Sequence, residues 1–167
     1  SNSHGVLIGD YIYSKAFIYM ADMAIMMSGH TSVPLYPNLN FETLAKILDH
    51  SEAKLLFVGK LDNYTDMKPG VPSDMHCISF PFYTEDYPMW NDLTKDISPL
   101  TDNIIRTEKE LATIIYTSGT TGDPKGVMHK FYNFSFATTN AVDILPLEKE
   151  SFFSYLPLCH IAERLLV

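Results

Sequence analysis

Helical and extended segments alternate along this chain, and that alternation restricts its fold more than any other feature of the sequence. A helix, apolar on nearly all sides, is predicted from residue 14 to 27 or 28, and Gly29 is its stop signal. A strand over 31–36 follows, then a helix capped by Asn40, then a strand over 55–58. The last strand is apolar throughout, which is typical of a strand covered on both faces. The pattern predicts an α/β fold in which helices flank a mostly parallel sheet.

The alternation resumes after an irregular stretch. Prolines interrupt residues 60–110, where we predict a short strand at 77–80 and assign Trp90 to packing. The later predicted elements are a strand at 111–116, a helix from 127 to about 145, a strand at 151–156 and a helix from 157 onward. The sequence ends inside the apolar stretch 161–167 without a stop signal, so we expect the natural domain to continue past Val167.

Charge and cysteine content limit the partners and the compartment. The net charge is −8 and the isoelectric point about 5.1, which argues against a nucleic-acid partner. In such an acidic chain, a site for a polyanion needs local cations or backbone amides. Cys77 and Cys159 lie far apart and lack metal-ligand spacing. They predict no disulfide framework and a cytoplasmic location.

One segment carries groups suited to binding phosphate. Residues 116–126 read Tyr-Thr-Ser-Gly-Thr-Thr-Gly-Asp-Pro-Lys-Gly. The glycines allow the backbone to approach a ligand closely, and the hydroxyls are neutral donors. Lys125 supplies a positive charge, and the helix predicted from Val127 would direct its positive end to the same place. The segment therefore predicts a polyphosphate-binding loop between a strand and a helix.

Two common nucleotide-binding motifs do not match this segment, and a plain surface turn matches it poorly. A Walker A loop needs Ser or Thr after its Gly-Lys pair, whereas Lys125 is followed by Gly126. A dinucleotide fingerprint needs Gly-x-Gly, which the chain lacks. A polar surface turn would explain the composition. However, a chance match to Thr-Ser-Gly-Thr-Thr-Gly-x-Pro-Lys-Gly has a probability on the order of 10⁻¹¹ per start position.

Residues 116–126 closely resemble the phosphate loop of the adenylate-forming superfamily. Two more segments resemble it: Met-Ser-Gly-His-Thr-Ser-Val-Pro-Leu-Tyr at 27–36 and Tyr-Leu-Pro-Leu-Cys-His-Ile-Ala-Glu-Arg at 155–164. The resemblance implies that residues 1–167 form part of the large N-terminal AMP-binding domain. The rest of that domain and a small C-terminal domain would lie outside the sequence, so we expect the fragment alone to be inactive.

The resemblance also implies a two-step reaction that uses ATP, Mg²⁺ and coenzyme A. A carboxylate is first joined to AMP with release of pyrophosphate, and coenzyme A then displaces AMP. Lys125 and Thr120 are the predicted catalytic residues, with the Thr120 hydroxyl nearest Mg²⁺. The predicted nucleotide-binding residues are Thr117, Ser118, Gly119, Thr120, Thr121, Gly122, Lys125 and Gly126. These groups stabilise charge on the phosphates, and none is a nucleophile or a general base.

The segment 155–164 supplies one predicted substrate residue. By resemblance, His160 lies at the acyl-binding site. Glu163 and Arg164 follow three and four residues later, and we leave open whether they form a structural ion pair or act in catalysis. The chain departs from many relatives after the loop, because His129 comes early and Phe131 occupies the usual His position. This departure weakens any role for His129.

The same segment looks most like long-chain fatty acyl-CoA synthetases. The expected partners are therefore a fatty acid, ATP and coenzyme A. Peripheral attachment to the inner face of the membrane and a homodimer remain open. Two alternatives are kept: another adenylating ligase, acting on an aryl acid or loading a carrier protein, and a nucleotide-binding module without turnover.

Overall fold

The computed structural model describes residues 4–8, 11–81, 86–101, 104–118, 123–144 and 156–166. The first elements are β1 (His4–Ile8), α1 (Tyr11–Met27), β2 (Thr31–Pro34), α2 (Phe41–His50), β3 (Ala53–Val58) and α3 (Tyr64–Met67). A 3₁₀ turn (Lys68–Gly70), β4 (His76–Ser79), α4 (Trp90–Thr94) and β5 (Leu111–Ser118) follow. The last described elements are β6 (Pro124–Lys130), α5 (Phe131–Ile144) and α6 (Ile161–Leu166).

Within the described residues, six strands form one sheet in the order β4-β3-β1-β2-β5-β6. The pairs β4–β3, β3–β1, β1–β2 and β2–β5 are parallel, and β6 is antiparallel to β5. Parallel neighbours need crossover connections, which α1 and α2 supply between β1 and β3. The predicted α/β class with a mostly parallel, helix-flanked sheet is confirmed.

One face of the sheet packs against α1 and an aromatic cluster. The rings of Phe57 and Phe80 stack at 5.7 Å between centroids, and Trp90 lies 5.8 Å from Phe80, which confirms its predicted packing role. The apolar residues on nearly all sides of α1 suggest a helix buried between layers, but the described residues bury only one of its sides. Within the described residues, Met20 and Met23 of α1 are 46% and 51% exposed, because only one side of the helix contacts the sheet. Gly29 ends this region with a φ of +89°, as its stop signal predicts.

The opposite face packs against α2, whose predicted cap is confirmed. Asn40 Oδ1 accepts a 2.8 Å hydrogen bond from the backbone N–H of Thr43, which satisfies one of the free amides at the start of α2. Leu44, Ile47 and Leu48 are buried against the sheet. Asn40 therefore fixes where α2 begins and which of its faces packs.

The prediction of a helix from Val127 is wrong. Residues Pro124–Lys130 form β6, in register with β5, and α5 begins only at Phe131. Pro124 cannot donate a backbone hydrogen bond, and Gly126 disfavours a helix, whereas pairing with β5 satisfies the backbone in an extended form. The backbone N–H of Lys130 donates to Asn133 Oδ1 at 2.8 Å, a reciprocal cap that fixes the later start of α5.

The remaining expectations concern the C-terminal segments. Of the strand predicted at 151–156, residues 151–155 lie outside the described residues. Residues after Pro157 form α6, as predicted, although the helix begins at Ile161. Among the helices of the described ranges, none is both long and apolar enough to cross a bilayer.

Candidate functional site

The candidate site lies at the edge of the sheet where β2 and β5 end. These two strands are parallel neighbours, so their carboxyl ends meet at the same edge. Leu35 and Tyr36 follow β2, and the predicted phosphate loop follows β5. Loops beyond the carboxyl ends of parallel strands are the usual place for ligands in α/β sheets.

The phosphate-binding segment is the turn of a β-hairpin. Thr117 of β5 is directly opposite Lys125 of β6, and Ser118 is opposite Pro124. Residues opposite each other in an antiparallel pair project from the same face, and the side chains of Thr117 and Lys125 are both exposed. The stem of the hairpin therefore presents a hydroxyl and an ammonium group side by side.

Several predicted binding residues cannot be placed. Gly119, Thr120, Thr121 and Gly122 lie outside the described residues, and so does the side chain of Ser118. Their assignment to phosphate, and that of Thr120 to Mg²⁺, stays a prediction. Thr117, Lys125 and Gly126 are described, and the structure brings them together at one end of the hairpin.

Gly126 is at a point of close contact inside the hairpin. It lies opposite Tyr116, and a Cβ atom built on it would be 2.8 Å from Ile114 Cγ2 and 3.2 Å from Tyr116 Cζ. A Cβ atom essentially never comes as close as 2.8 Å to a neighbour, so any residue larger than glycine at this position would displace Ile114. Packing therefore explains this glycine by itself, and its predicted nucleotide contact remains untested.

The chain after the hairpin does not direct a helix end at the loop. The backbone N–H groups of Phe131 and Tyr132 donate to the carbonyl oxygens of Glu110 and Glu108, at 3.1 and 2.9 Å. These are first-turn amides of α5, which a helix would otherwise offer to an anion. The sequence predicted that the start of this helix would bind phosphate, but these hydrogen bonds already occupy two of its backbone amides.

A cavity of about 580 Å³ adjoins the hairpin stem. It lies between the end of β2, α2 and the hairpin. The lining residues include Tyr36, Asn38, Thr43, Ile47, Tyr116, Thr117 and Pro124. Mostly apolar walls with a few polar groups, in a volume of this order, are typical of small-molecule sites. Because Thr117 lines the cavity, a ligand in it could contact the hairpin stem.

His160 is next to this cavity through one aromatic neighbour. Its ring lies 5.4 Å from that of Tyr36, edge to face, and its side chain is exposed. Tyr36 in turn lines the cavity, and burial raises the pKa of its phenol. The structure therefore brings the predicted substrate residue to the same edge of the sheet as the hairpin stem.

Cys159, beside His160, is not a reactive thiol. It is buried and free, and burial raises its pKa to about 12. The thiolate is the nucleophilic form, so a thiol that stays protonated near neutral pH is inert. This agrees with a packing role and leaves no cysteine nucleophile at this edge among the described residues.

Glu163 and Arg164 each contact a residue of α1, so the structural role that the sequence left open is met by partners outside their own helix. The Tyr19 hydroxyl donates to Glu163 Oε1 at 3.0 Å. Arg164 Nη2 lies 2.7 Å from both carboxylate oxygens of Asp22. Both contacts join α6 to α1, so they hold the segment that carries His160 against the rest of the domain.

The sequence drew attention to His129 but not to Tyr36 or Asp22. His129 is half-buried on β6, where burial and the positive charge of Arg164 lower its pKa. Sequence reasoning missed Tyr36 and Asp22. A carboxylate inside the apolar α1 was a usable signal for Asp22, since a buried charge needs a partner of opposite sign.

Comparison with known proteins identifies relatives of most of the chain. The family model for AMP-binding enzymes matches residues 5–167. Long chain acyl-CoA synthetase 2 of Arabidopsis thaliana is 30% identical over 164 residues, 86% of this chain and 25% of that protein. Tyrocidine synthase 3 of Brevibacillus parabrevis is 31% identical over 135 residues, 78% of this chain and 2% of that protein.

A solved structure shares the fold. The o-succinylbenzoate CoA synthetase of Bacillus subtilis, in complex with its acyl-adenylate intermediate, superposes with a TM-score of 0.75 at 22% identity. The match covers 98% of this chain and 31% of that one. The chain spans about a quarter of the length of the curated acyl-CoA synthetase that it matches.

Proposed function

The chain belongs to the AMP-binding enzyme family, and we propose that the protein containing it converts a long-chain fatty acid into its coenzyme A thioester, using ATP. The observation that carries this proposal is the Thr117–Lys125 hairpin stem, with its hydroxyl and cation at the carboxyl edge of the sheet. The similarity to a long chain acyl-CoA synthetase supports the fatty acid as substrate.

The proposed reaction has two steps, adenylation of the acid and transfer of the acyl group to coenzyme A. A carboxylate oxygen of the fatty acid attacks the α-phosphorus of ATP, and the bond to the β-phosphate oxygen breaks, releasing pyrophosphate. The sulfur of coenzyme A then attacks the acyl carbonyl carbon, the thiol proton is lost, and AMP leaves. Negative charge builds on the leaving pyrophosphate in the first step, so donors fixed around the β- and γ-phosphates accelerate it.

Residues of this chain are suited to hold that charge. Lys125 provides a positive charge for phosphate oxygens, and Thr117 provides a hydroxyl donor on the same face of the hairpin. In the described ranges, no three His, Cys, Asp or Glu side chains converge on a metal site. Mg²⁺ would be held through phosphate oxygens, with the Thr120 hydroxyl as the proposed ligand from this chain. When bound, Mg²⁺ neutralises part of the phosphate charge.

His160 is the proposed contact for the acyl group. Its ring adjoins Tyr36, which lines the cavity beside the hairpin stem. A carboxylate that occupied this cavity would lie near Tyr36, the neighbour of His160, and near Thr117 of the hairpin stem. This arrangement suits a reaction that joins the acid to the α-phosphate.

A second candidate is another adenylating ligase, which acts on an aryl acid or loads a carrier protein. The likeness to tyrocidine synthase 3, at an identity similar to that of the acyl-CoA synthetase, favours it. Both candidates share the first step and differ in the acid and in the acceptor of the acyl group.

The test is pyrophosphate exchange into ATP by the full-length protein. Fatty acids of graded chain length are compared with aryl and amino acids. We expect exchange to rise with long-chain acids and to fall on the order of 100-fold in Lys125→Ala. Lys130→Ala, at the other end of the same strand and also exposed, is the matched control and should exchange normally.

Each other outcome selects an alternative. Exchange with aryl or amino acids alone would reject the fatty acid and favour the second candidate. ATP binding without exchange for any acid would favour a nucleotide-binding module without turnover. Equal losses in the two lysine variants would reject the proposed role of Lys125.

A further inference from the structure

Helix α2 contacts the phosphate-binding hairpin on both sides of its turn. His50 Nδ1 and the Tyr116 hydroxyl form a hydrogen bond of 2.7 Å. Lys46 Nζ donates to Asp123 Oδ1 at 2.6 Å. Lys46 and His50 are four residues apart, so they project from the same side of the helix. Tyr116 belongs to the strand that enters the turn, and Asp123 immediately precedes the strand that leaves it.

The Lys46–Asp123 contact is a poor candidate for a stabilising interaction. The two side chains are 57% and 72% exposed. Exposed ion pairs contribute little to folding, because solvent screens the charges and two long side chains lose conformational freedom. The His50–Tyr116 hydrogen bond holds the other strand of the hairpin to α2 independently. Loss of the ion pair would therefore leave the hairpin folded.

The position of Asp123 gives the pair a different role. Asp123 is two residues before Lys125, and Pro124 between them has a fixed φ. A restraint on Asp123 therefore passes through a stiff link to the backbone of Lys125. Moreover, a free carboxylate beside a polyphosphate site would repel the ligand, and the Lys46 ammonium neutralises it.

We propose that Lys46 is a positioning residue for the polyphosphate group of ATP, acting through its ion pair with Asp123. The pair weakly restrains the strand that carries Lys125, and the Lys46 ammonium offsets the negative charge of Asp123 at the start of that strand. The hydrogen bond and the charge of Lys46 also lower the pKa of Asp123. This inference rests on the ATP site of the proposed function but not on the identity of the acid.

The experiment measures ATP affinity by calorimetry without any acid, and KM and kcat for ATP in pyrophosphate exchange. Lys46→Met is expected to weaken ATP binding and raise its KM about threefold to fivefold, with kcat unchanged. The thermal midpoint should move by less than about 2 °C, because the pair is exposed. Lys95→Met, which removes an exposed lysine at the end of α4, is the control and should leave both constants unchanged.

The double variants separate this role from a general loss of charge. The exchange of charges in Lys46→Asp/Asp123→Lys should restore most of the ATP affinity, and Lys46→Met/Asp123→Asn should bind no worse than Lys46→Met alone. The difference between wild type and Lys46→Met should shrink at about 0.5 M salt, where the pair is screened.

Several results would overturn the proposal. An unchanged ATP affinity in Lys46→Met would do so, and so would a charge exchange that makes binding worse than either single variant. A fall in affinity that tracks a large drop in the thermal midpoint would show a structural role instead. ATP binding by a wild type that supports no exchange would refute the proposed function alone, because the affinity comparison still applies. A wild type that binds no ATP would refute both.

Discussion

The buried ion pair between Asp22 and Arg164 yields the sharpest prediction about stability. The side chain of Arg164 is 3% exposed and that of Asp22 is 6% exposed. Arg164 Nη2 lies 2.7 Å from both oxygens of the carboxylate, which also accepts a hydrogen bond from the buried Ser32 hydroxyl. The pair joins α6 to α1 and thereby holds the segment that carries His160.

Removing one charge should be far more harmful than removing the whole network. Among the described residues, Arg164→Met leaves the buried carboxylate with Ser32 as its remaining partner, and we expect a loss of about 3–5 kcal/mol. The triple variant Asp22→Leu/Arg164→Met/Ser32→Ala leaves neither a buried charge nor an unpaired hydroxyl. Its free energy of unfolding should therefore lie within about 2 kcal/mol of wild type, because apolar replacement of a buried pair is often nearly neutral.

Urea unfolding of the full-length protein, followed by circular dichroism, measures these differences if the denaturant slope is unchanged. Asp92→Leu, at an exposed carboxylate on α4, is the control and should change stability by about 0.5 kcal/mol at most. The reasoning is refuted if Arg164→Met costs less than about 1 kcal/mol, or if the triple variant is as unstable as the single one. Pyrophosphate exchange by a stable triple variant would also reject a catalytic role for Arg164.

Two further predictions concern single positions. Gly126→Ala should destabilise the protein by about 1–3 kcal/mol, because its Cβ would crowd Ile114 and the Tyr116 ring. Thermal unfolding measures this loss, and an unchanged thermal midpoint would contradict the packing role of Gly126. Cys159 should resist thiol reagents at pH 8 until the protein is unfolded. The pKa of the Cys159 thiol is about 12 in the folded protein and 9.0 in an ordinary cysteine, so the unfolded chain loses this proton at a lower pH. The contribution of the protonated thiol to the free energy of unfolding is therefore lost as pH rises from 9 toward 12. Cys159→Ala should lose less stability over that interval, and an equal loss would reject this assignment.

The sequence allowed prediction of the elements whose signals are local. Asn40 lies next to the helix that it caps, Gly29 adopts the left-handed conformation that ends α1, and the apolar run at 55–58 is inside β3. Strand β6 was missed because its stability comes from pairing with β5, and no local pattern at 124–130 records that pairing. The incorrect helix at Val127 followed from reading the segment without its partner strand.

The candidate site shows the same difference between residues that a contiguous motif reveals and residues whose partners are distant in sequence. Lys125 was found because its motif is contiguous in sequence. Lys46 was missed because its partner Asp123 is 77 residues away, and Arg164 could not be paired with Asp22 across 142 residues. Asp22 did signal a buried partner, since it interrupts an apolar helix, but nothing in its neighbourhood says which cation that partner is.

The correction at β6 changes which groups can attract phosphate in this acidic chain. A helix beginning at Val127 would have supplied a positive dipole end and free amides. Instead, strand β6 leaves the turn, and two first-turn amides of α5 are occupied by the carbonyl groups of Glu108 and Glu110. Among the described residues of the stem, Lys125 is the cation at the turn end, where a polyphosphate would need its charge balanced in a chain of net charge −8. The charge and the position of Lys125 therefore matter more here than in a strand–loop–helix site, which is why a restraint as weak as the Lys46–Asp123 pair can have a measurable effect on ATP binding.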